Sequence, residues 1–210
     1  MIRSFDDTTR RNIAGLCAKF ARLPVSEPSS VLKRAAVAIV LAEADGAQGG
    51  TALLLTVRAA GLRAHRGQWA LPGGRCDEGE TPVEAALREL HEELGLALGP
   101  DDVLGLLDDY PTRSGYLITP VVVWATAGRG LSPNPAEVAS VHRIPLRDID
   151  QADAFDFIAI PESTRRVIRF RYAGHLIHAP TAAMIYQFRE VLAGRETRVA
   201  DLEQPVFAWK

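Results

Sequence analysis

The spacing of Ile13, Leu16, Cys17 and Phe20 is helical. It predicts an amphipathic helix over 5–22, which Ser4 or Asp6 can cap. The Pro/Ser-rich stretch LPVSEPSS that follows reads as a linker. The run RAAVAIVLAEADGAQGGTALLLTVRA predicts two strands, near 34–43 and 51–59, around a glycine-rich turn. Residues 60–80 read mostly as loop, with a short apolar segment from Trp69 to Leu71. A helix is predicted at 82–94. VLGLLDDY and GYLITPVVVWATA read as strands joined by the turn PTRSG, and EVASVHRIPL as a strand ending at Pro145. VIRFRY and HLIHA predict a hairpin about Ala173 and Gly174. TAAMIYQFREVLA predicts a helix with Ala183, Ile185, Tyr186 and Phe188 as its apolar surface. The last fifteen residues form a tail whose PVFAW can dock on the body or, with the first helix, at a homodimer contact. Helices and strands mix without strict alternation. That predicts an α+β fold, a mixed β-sheet sandwiched between helices, rather than a parallel Rossmann sheet. The expected organisation is an N-terminal helix and linker over 1–30, one domain over 31–194 and a tail over 195–210.

Composition narrows the class. The 210 residues suffice for one well-buried domain, and 47% hydrophobic with 24% charged residues is ordinary for a globular chain. The net charge of −2, with scattered arginines, carries no electrostatic footprint for nucleic acid. The two cysteines, Cys17 and Cys76, have no metal-type spacing and are too few for a disulfide framework. The N-terminus lacks the apolar core of a signal peptide, and no run approaches the roughly 20 residues of a membrane span. A reducing cytoplasm is therefore the expected location.

The helix at 82–94 concentrates the chemistry. Thr81 can serve as N-cap, Pro82 suits the first turn, Glu84 completes a capping box and Gly95 suits the stop. Val83, Leu87, Leu90 and Leu94 make an apolar stripe with Ala86 at its edge. Glu89, Glu92 and Glu93 make a neighbouring stripe at its border, and Arg88 lies one turn from Glu84 and from Glu92. Taken alone, such a pattern reads as a solvated acidic face. Carboxylates at the edge of a buried face are costly, however, unless paired or bound to metal. The preceding PGG and RCDEGE place a backbone-rich loop beside them. Oxygen donors on adjacent turns suit a hard cation such as Mg²⁺.

These residues carry a resemblance. Gly74, five residues, Glu80, seven residues, Arg88-Glu89-Leu90, one residue, Glu92-Glu93, one residue and Gly95-Leu96 resemble the Nudix box at every defined position. The resemblance implies the Nudix fold and hydrolysis of a nucleoside diphosphate linked to another moiety. It implies Mg²⁺ or Mn²⁺ held by Glu89, Glu92 and Glu93, with the Gly74 carbonyl a further ligand. It implies that Arg88 and Glu80 orient the carboxylates. Glu93 or Glu92 is then the base for the attacking water, or Glu137 from a later loop.

The stretch before the box is similar to the signature of the coenzyme A-hydrolysing Nudix subfamily. Leu54-Leu55-Thr56, Arg58-Ala59, Arg63, Gly67 and Pro72-Gly73-Gly74 carry that similarity, as does SGYLITPVV further on. Leu71 departs from the usual Phe, and His178-Ala179 stand where a Trp-Gly pair is usual. The similarity implies cleavage of CoA or an acyl-CoA to 3′,5′-ADP and a 4′-phosphopantetheine derivative, with Arg58, Arg63, Gly73 and Gly74 contacting substrate. Arg58, Arg63, His65 and Arg66 form a local cationic cluster, useful for a substrate with an additional 3′-phosphate. Arg66 reads as solvated, Trp69 as core and Cys76 as incidental. Pro111, fifteen residues past Leu96, supports an alternative, an ADP-ribose or other nucleotide-sugar pyrophosphatase. A non-catalytic nucleotide-sensing module is the other alternative. The implied partner is a small-molecule nucleotide diphosphate, with no nucleic acid and no membrane.

Overall fold

The computed structural model describes residues 4–23, 32–46, 49–61, 66–126 and 130–208. Most of the predicted linker lies outside the described residues. The centre of the fold is β1 (Lys33–Glu43), whose residues from Ala35 to Ala42 are all buried. A strand covered on both faces reads as a continuous apolar run, and the two faces of β1 differ. Ala36, Ala38 and Val40 face a core with α2 (Pro82–Leu94), where small side chains let the helix approach closely. Val37, Ile39 and Leu41 face a larger core with α1 (Asp7–Lys19) and α4 (Thr181–Leu192). The sheet thus lies between helices.

The sheet is mixed. β1 runs parallel to β7 (Tyr116–Trp124) and antiparallel to β2 (Thr51–Arg58) and β4 (Gly73–Arg75). On one edge β1 changes partner along its length. Ala35 to Val37 pair with β4, and Leu41 to Glu43 pair with β2. β2 and β4 therefore diverge and leave an opening beside the middle of β1. β3 (Trp69–Ala70) and β8 (Val138–Pro145) extend the sheet from β2, and β5 (Val103–Leu106) and β6 (Tyr110–Pro111) from β7. A second antiparallel sheet is formed by β9 (Phe155–Ile160), β10 (Ser163–Tyr172) and β11 (His175–His178). α3 (Leu146–Ile149) follows β8.

Several elements differ from the sequence expectation. Residues 60–80 contain β3 and β4, two- and three-residue strands too short to show a period. VLGLLDDY divides into β5 and β6 because Asp108 and Asp109 hold other segments. Asp108 accepts from the Leu23 N–H at 2.8 Å and from Arg198 at 2.9 Å, and Asp109 accepts from the Thr119 hydroxyl at 2.6 Å. β9 and α3 were not expected. The first helix is shorter than 5–22, and Asp6 caps it by accepting the Thr9 N–H at 2.7 Å. The described part of the tail lies on the body, and Trp209 lies outside the described residues. The Tyr110 hydroxyl donates to the Leu202 carbonyl at 2.7 Å, and the Glu203 N–H donates to the Arg166 carbonyl at 2.8 Å.

Candidate active site

α2 begins with the expected capping box and ends at Gly95, whose φ of +67° is the left-handed stop. Its buried residues are Ala85, Ala86, Leu90, Glu93 and Leu94, with Val83 and Leu87 half-buried. The buried face is thus turned from the expected stripe, and Glu93 lies within it rather than at its border. The three glutamates sit at three depths. Glu93 is 3% exposed, Glu89 is half-buried and Glu92 is exposed.

Arg88 is the hub of the loop and helix. Its Nε and Nη2 donate to the two oxygens of Glu80 at 2.9 and 3.0 Å. Its Nη1 donates to Glu89 at 2.9 Å and to Glu92 at 3.2 Å, and Nη2 also reaches the Arg75 carbonyl at 2.9 Å. Glu84 is not a partner; it bonds back to Thr81. A planar guanidinium can serve all of these acceptors at once, which a lysine cannot. The Arg88 hydrogen bonds hold the Glu80 carboxyl below its ordinary pKa. Burial raises Glu89 in spite of Arg88.

Glu93 reaches the opening between β2 and β4. It accepts the Gly73 N–H at 3.2 Å and lies 3.7 Å from Arg58 at the end of β2. Burial pushes its carboxyl up to about 7. Arg58 and the Gly73 N–H oppose the shift, and the charges of Glu89 and Glu137 add to it. Glu137 is half-buried and accepts from the Asn134 amide at 3.2 Å. The two glycines are there for space. A Cβ on Gly73, at φ +149°, would stand 2.3 Å from the Ala36 carbonyl oxygen, and one on Gly74 would stand 2.2 Å from Glu89 Oε1.

Among the described residues no three carboxylate, imidazole or thiol groups already converge as a metal cage. Glu89 and Glu92 turn to Arg88, and Glu93 turns to Gly73 and Arg58. The donor chemistry nevertheless fits a hard cation. Four carboxylates, Glu80, Glu89, Glu92 and Glu93, meet the two cations Arg58 and Arg88 in these contacts, and burial, with a smaller addition from neighbouring carboxylates, raises Glu89 and Glu93.

A cleft of about 600 Å³ opens from this loop. Ala35 and Val37 of β1 line it, together with Arg58, Gly73, Gly74 and Arg75. The Arg75 guanidinium lies over the Tyr116 ring, 5.2 Å from its centroid. Trp69 is half-buried, packs on His142 with ring centroids 4.3 Å apart and also lines the cleft. Its role therefore extends beyond the core reading. Arg63 and His65 lie outside the described residues; Arg66 is described and exposed. The sequence reading missed Arg75 and the far wall of Leu176, Met184 and Phe207. Arg75 follows the double glycine and was open to detection. The wall residues lie a hundred or more positions away and carry no local signal.

A family model for the NUDIX domain matches residues 32–162. The chain belongs to the Nudix family, and it is a Nudix hydrolase acting as a pyrophosphohydrolase. A Photorhabdus laumondii protein named Uncharacterized Nudix hydrolase NudL is 38% identical over 141 residues, covering 66% of this chain and 75% of that protein. A protein of the same name from Pectobacterium atrosepticum is 36% identical over 149 residues, covering 68% and 76%. The crystal structure of a MutT/nudix family protein from Enterococcus faecalis matches with a TM-score of 0.52 at 17% identity. It covers 90% of this chain and 75% of that one, a likeness of fold. Nudix hydrolases generally use divalent metal ions. Among the described residues no helix is long and apolar enough to cross a membrane.

Proposed function

We propose that the substrate is CoA or an acyl-CoA, cleaved to 3′,5′-ADP and a 4′-phosphopantetheine derivative. One observation carries the reading. The described part of the segment that resembles the CoA-hydrolysing signature lines the cleft through Arg58, Gly67, Gly73 and Gly74, with Arg58 beside Glu93. In this reading Glu89, Glu92, Glu93 and the Gly74 carbonyl hold Mg²⁺ or Mn²⁺. The ion supplies positive charge to the diphosphate and acidifies water. Arg88 is a positioning residue that sets the glutamates through its shared guanidinium, with Glu80 fixing its orientation. Glu93 is the proton acceptor. Its carboxylate is fixed by Gly73 and Arg58, whereas Glu92 turns outward to Arg88 and Glu137 is held by Asn134. Arg75 offers a further cation at the diphosphate end.

Because Arg58 is engaged with Glu93, Arg63 is the arginine assigned to the 3′-phosphate. Losing one charge-assisted phosphate contact costs about tenfold to a hundredfold in kcat/KM. CoA should therefore be preferred over dephospho-CoA by that factor, and Arg63→Gln should erase the preference. The test is a panel of CoA, dephospho-CoA and ADP-ribose with Mg²⁺ and with Mn²⁺, products identified by mass. Good hydrolysis of ADP-ribose with CoA untouched under both metals would overturn the CoA reading.

A further inference from the structure

The family-model match ends at residue 162, but the cleft does not. Its far wall comes from β11, the first turn of α4 and the C-terminal tail, with Leu176, Ile177, Met184 and Phe207 as its apolar side chains. The charged side chains that line the cleft, Arg58 and Arg75, come from β2 and β4 and not from this wall. The exposed large apolar side chains among the described residues are Leu23, Leu176 and Phe207, and two of these three are on this wall. Exposed apolar area is favourable to cover.

Phe207 is held in place. Its ring meets His178 edge-on, centroids 5.3 Å apart at 86°, while 59% of the residue stays exposed. Just before it, Glu203 pairs with Arg113 and accepts the Ser163 hydroxyl at 2.7 Å, and the Gln204 side chain accepts the Arg113 N–H at 2.6 Å. The tail thus presents an anchored aromatic face to the cleft.

We propose that the segment beyond the Nudix match is the specificity wall of the site. It receives the uncharged, apolar part of the moiety joined to the diphosphate, and Phe207 and Leu176 are specificity-determining residues. The proposal rests on the pyrophosphohydrolase activity and is independent of CoA as substrate.

The probes are ADP esterified on its β-phosphate with methyl or with octyl alcohol. Hydrolysis of either adds water across the P–O–P link and gives AMP and the alkyl phosphate. The metal-loaded full chain should favour the octyl ester by about tenfold or more in kcat/KM, since buried methylenes add favourably. Phe207→Ala and Leu176→Ser should each shrink that ratio, and the double variant should bring it near one. Both side chains are exposed, so the fold should persist. Equal rates on the two esters would overturn the proposal. So would a Phe207→Ala variant that loses equally on both, because the ring would then contact the nucleoside. Calorimetric binding of both esters to Glu93→Gln separates the two ideas. Tighter octyl binding without turnover by the unmodified protein would count against the activity and keep the wall. Equal binding would remove the wall whatever the activity.

Discussion

Glu93 holds a conflict between stability and chemistry in one side chain. A carboxyl raised to about 7 from an ordinary 4.5 binds its proton more tightly in the folded than in the unfolded state. Ionisation therefore destabilises the metal-free fold once pH exceeds about 4.5, increasingly up to about 7. Gln keeps the shape and needs no charge. Metal-free Glu93→Gln should melt at neutral pH no lower than the parent. The same variant should lose about 10²- to 10⁴-fold in turnover if Glu93 moves the proton. Calorimetric melting and steady-state kinetics on one preparation would check both. A marked fall in melting temperature would show that the Arg58 pair outweighs burial, and near-normal turnover would remove Glu93 from the chemistry. Sequence alone placed this glutamate beside the apolar stripe. Its burial depends on the opening between β2 and β4, where Gly73 and Arg58 meet it.

Among the elements, the tail carries one buried carboxylate, Glu203, that pairs with the body. Hydrogen bonds from Arg113 are the main cause that brings Glu203 to about 2 from 4.5, against the effect of burial. A depressed folded pKa stabilises above pH 4.5, and that contribution is lost as pH falls from 4.5 to about 2. Amide exchange should therefore show the Glu203 N–H losing protection in that window, ahead of the amides of α2. Glu203→Gln should flatten the pH response; persistence of the response would place the acid sensitivity elsewhere. A dockable tail was readable in the sequence from PVFAW. Its anchor was not, because Arg113 and Ser163 lie 90 and 40 residues away in the chain. The same contrast holds elsewhere. α2 was legible to the residue, since its capping box, Pro82 and Gly95 are all local. β3, β4 and β9 were not, because pairing across the sheets defines them.

At the scale of the molecule, the two faces of β1 divide the work. α2 brings the glutamates on one face, while α1 closes the other at a point where β5 makes room. Gly105 has φ +156°, and a Cβ there would stand 2.7 Å from the Cys17 Cβ. Gly105→Ala should push α1 outward and cost about 1–3 kcal/mol, as overpacking does. In a chain of this size each kcal/mol lowers the melting temperature by roughly 2–4 °C. Turnover at a permissive temperature should be unchanged, because the glutamates lie across the sheet. A parental melting temperature would show that α1 yields without cost. Loss of turnover without loss of stability would show that α1 couples to the site.

The sequence by itself determined the class of the molecule. The box residues are closely spaced on one loop and one helix, and helix signals are local, so Gly74, Glu80, Arg88 and the glutamates were identifiable before any contact was known. The apolar run of β1 likewise announced a strand, and its cover on both faces came from the tertiary structure. Only the tertiary structure decided how deep each glutamate sits, that Arg58 reaches Glu93 and that the cleft continues to Phe207. Those features join residues 35 to more than a hundred positions apart, and such neighbours are chosen by burial and sheet pairing, which leave no spacing in the chain to read.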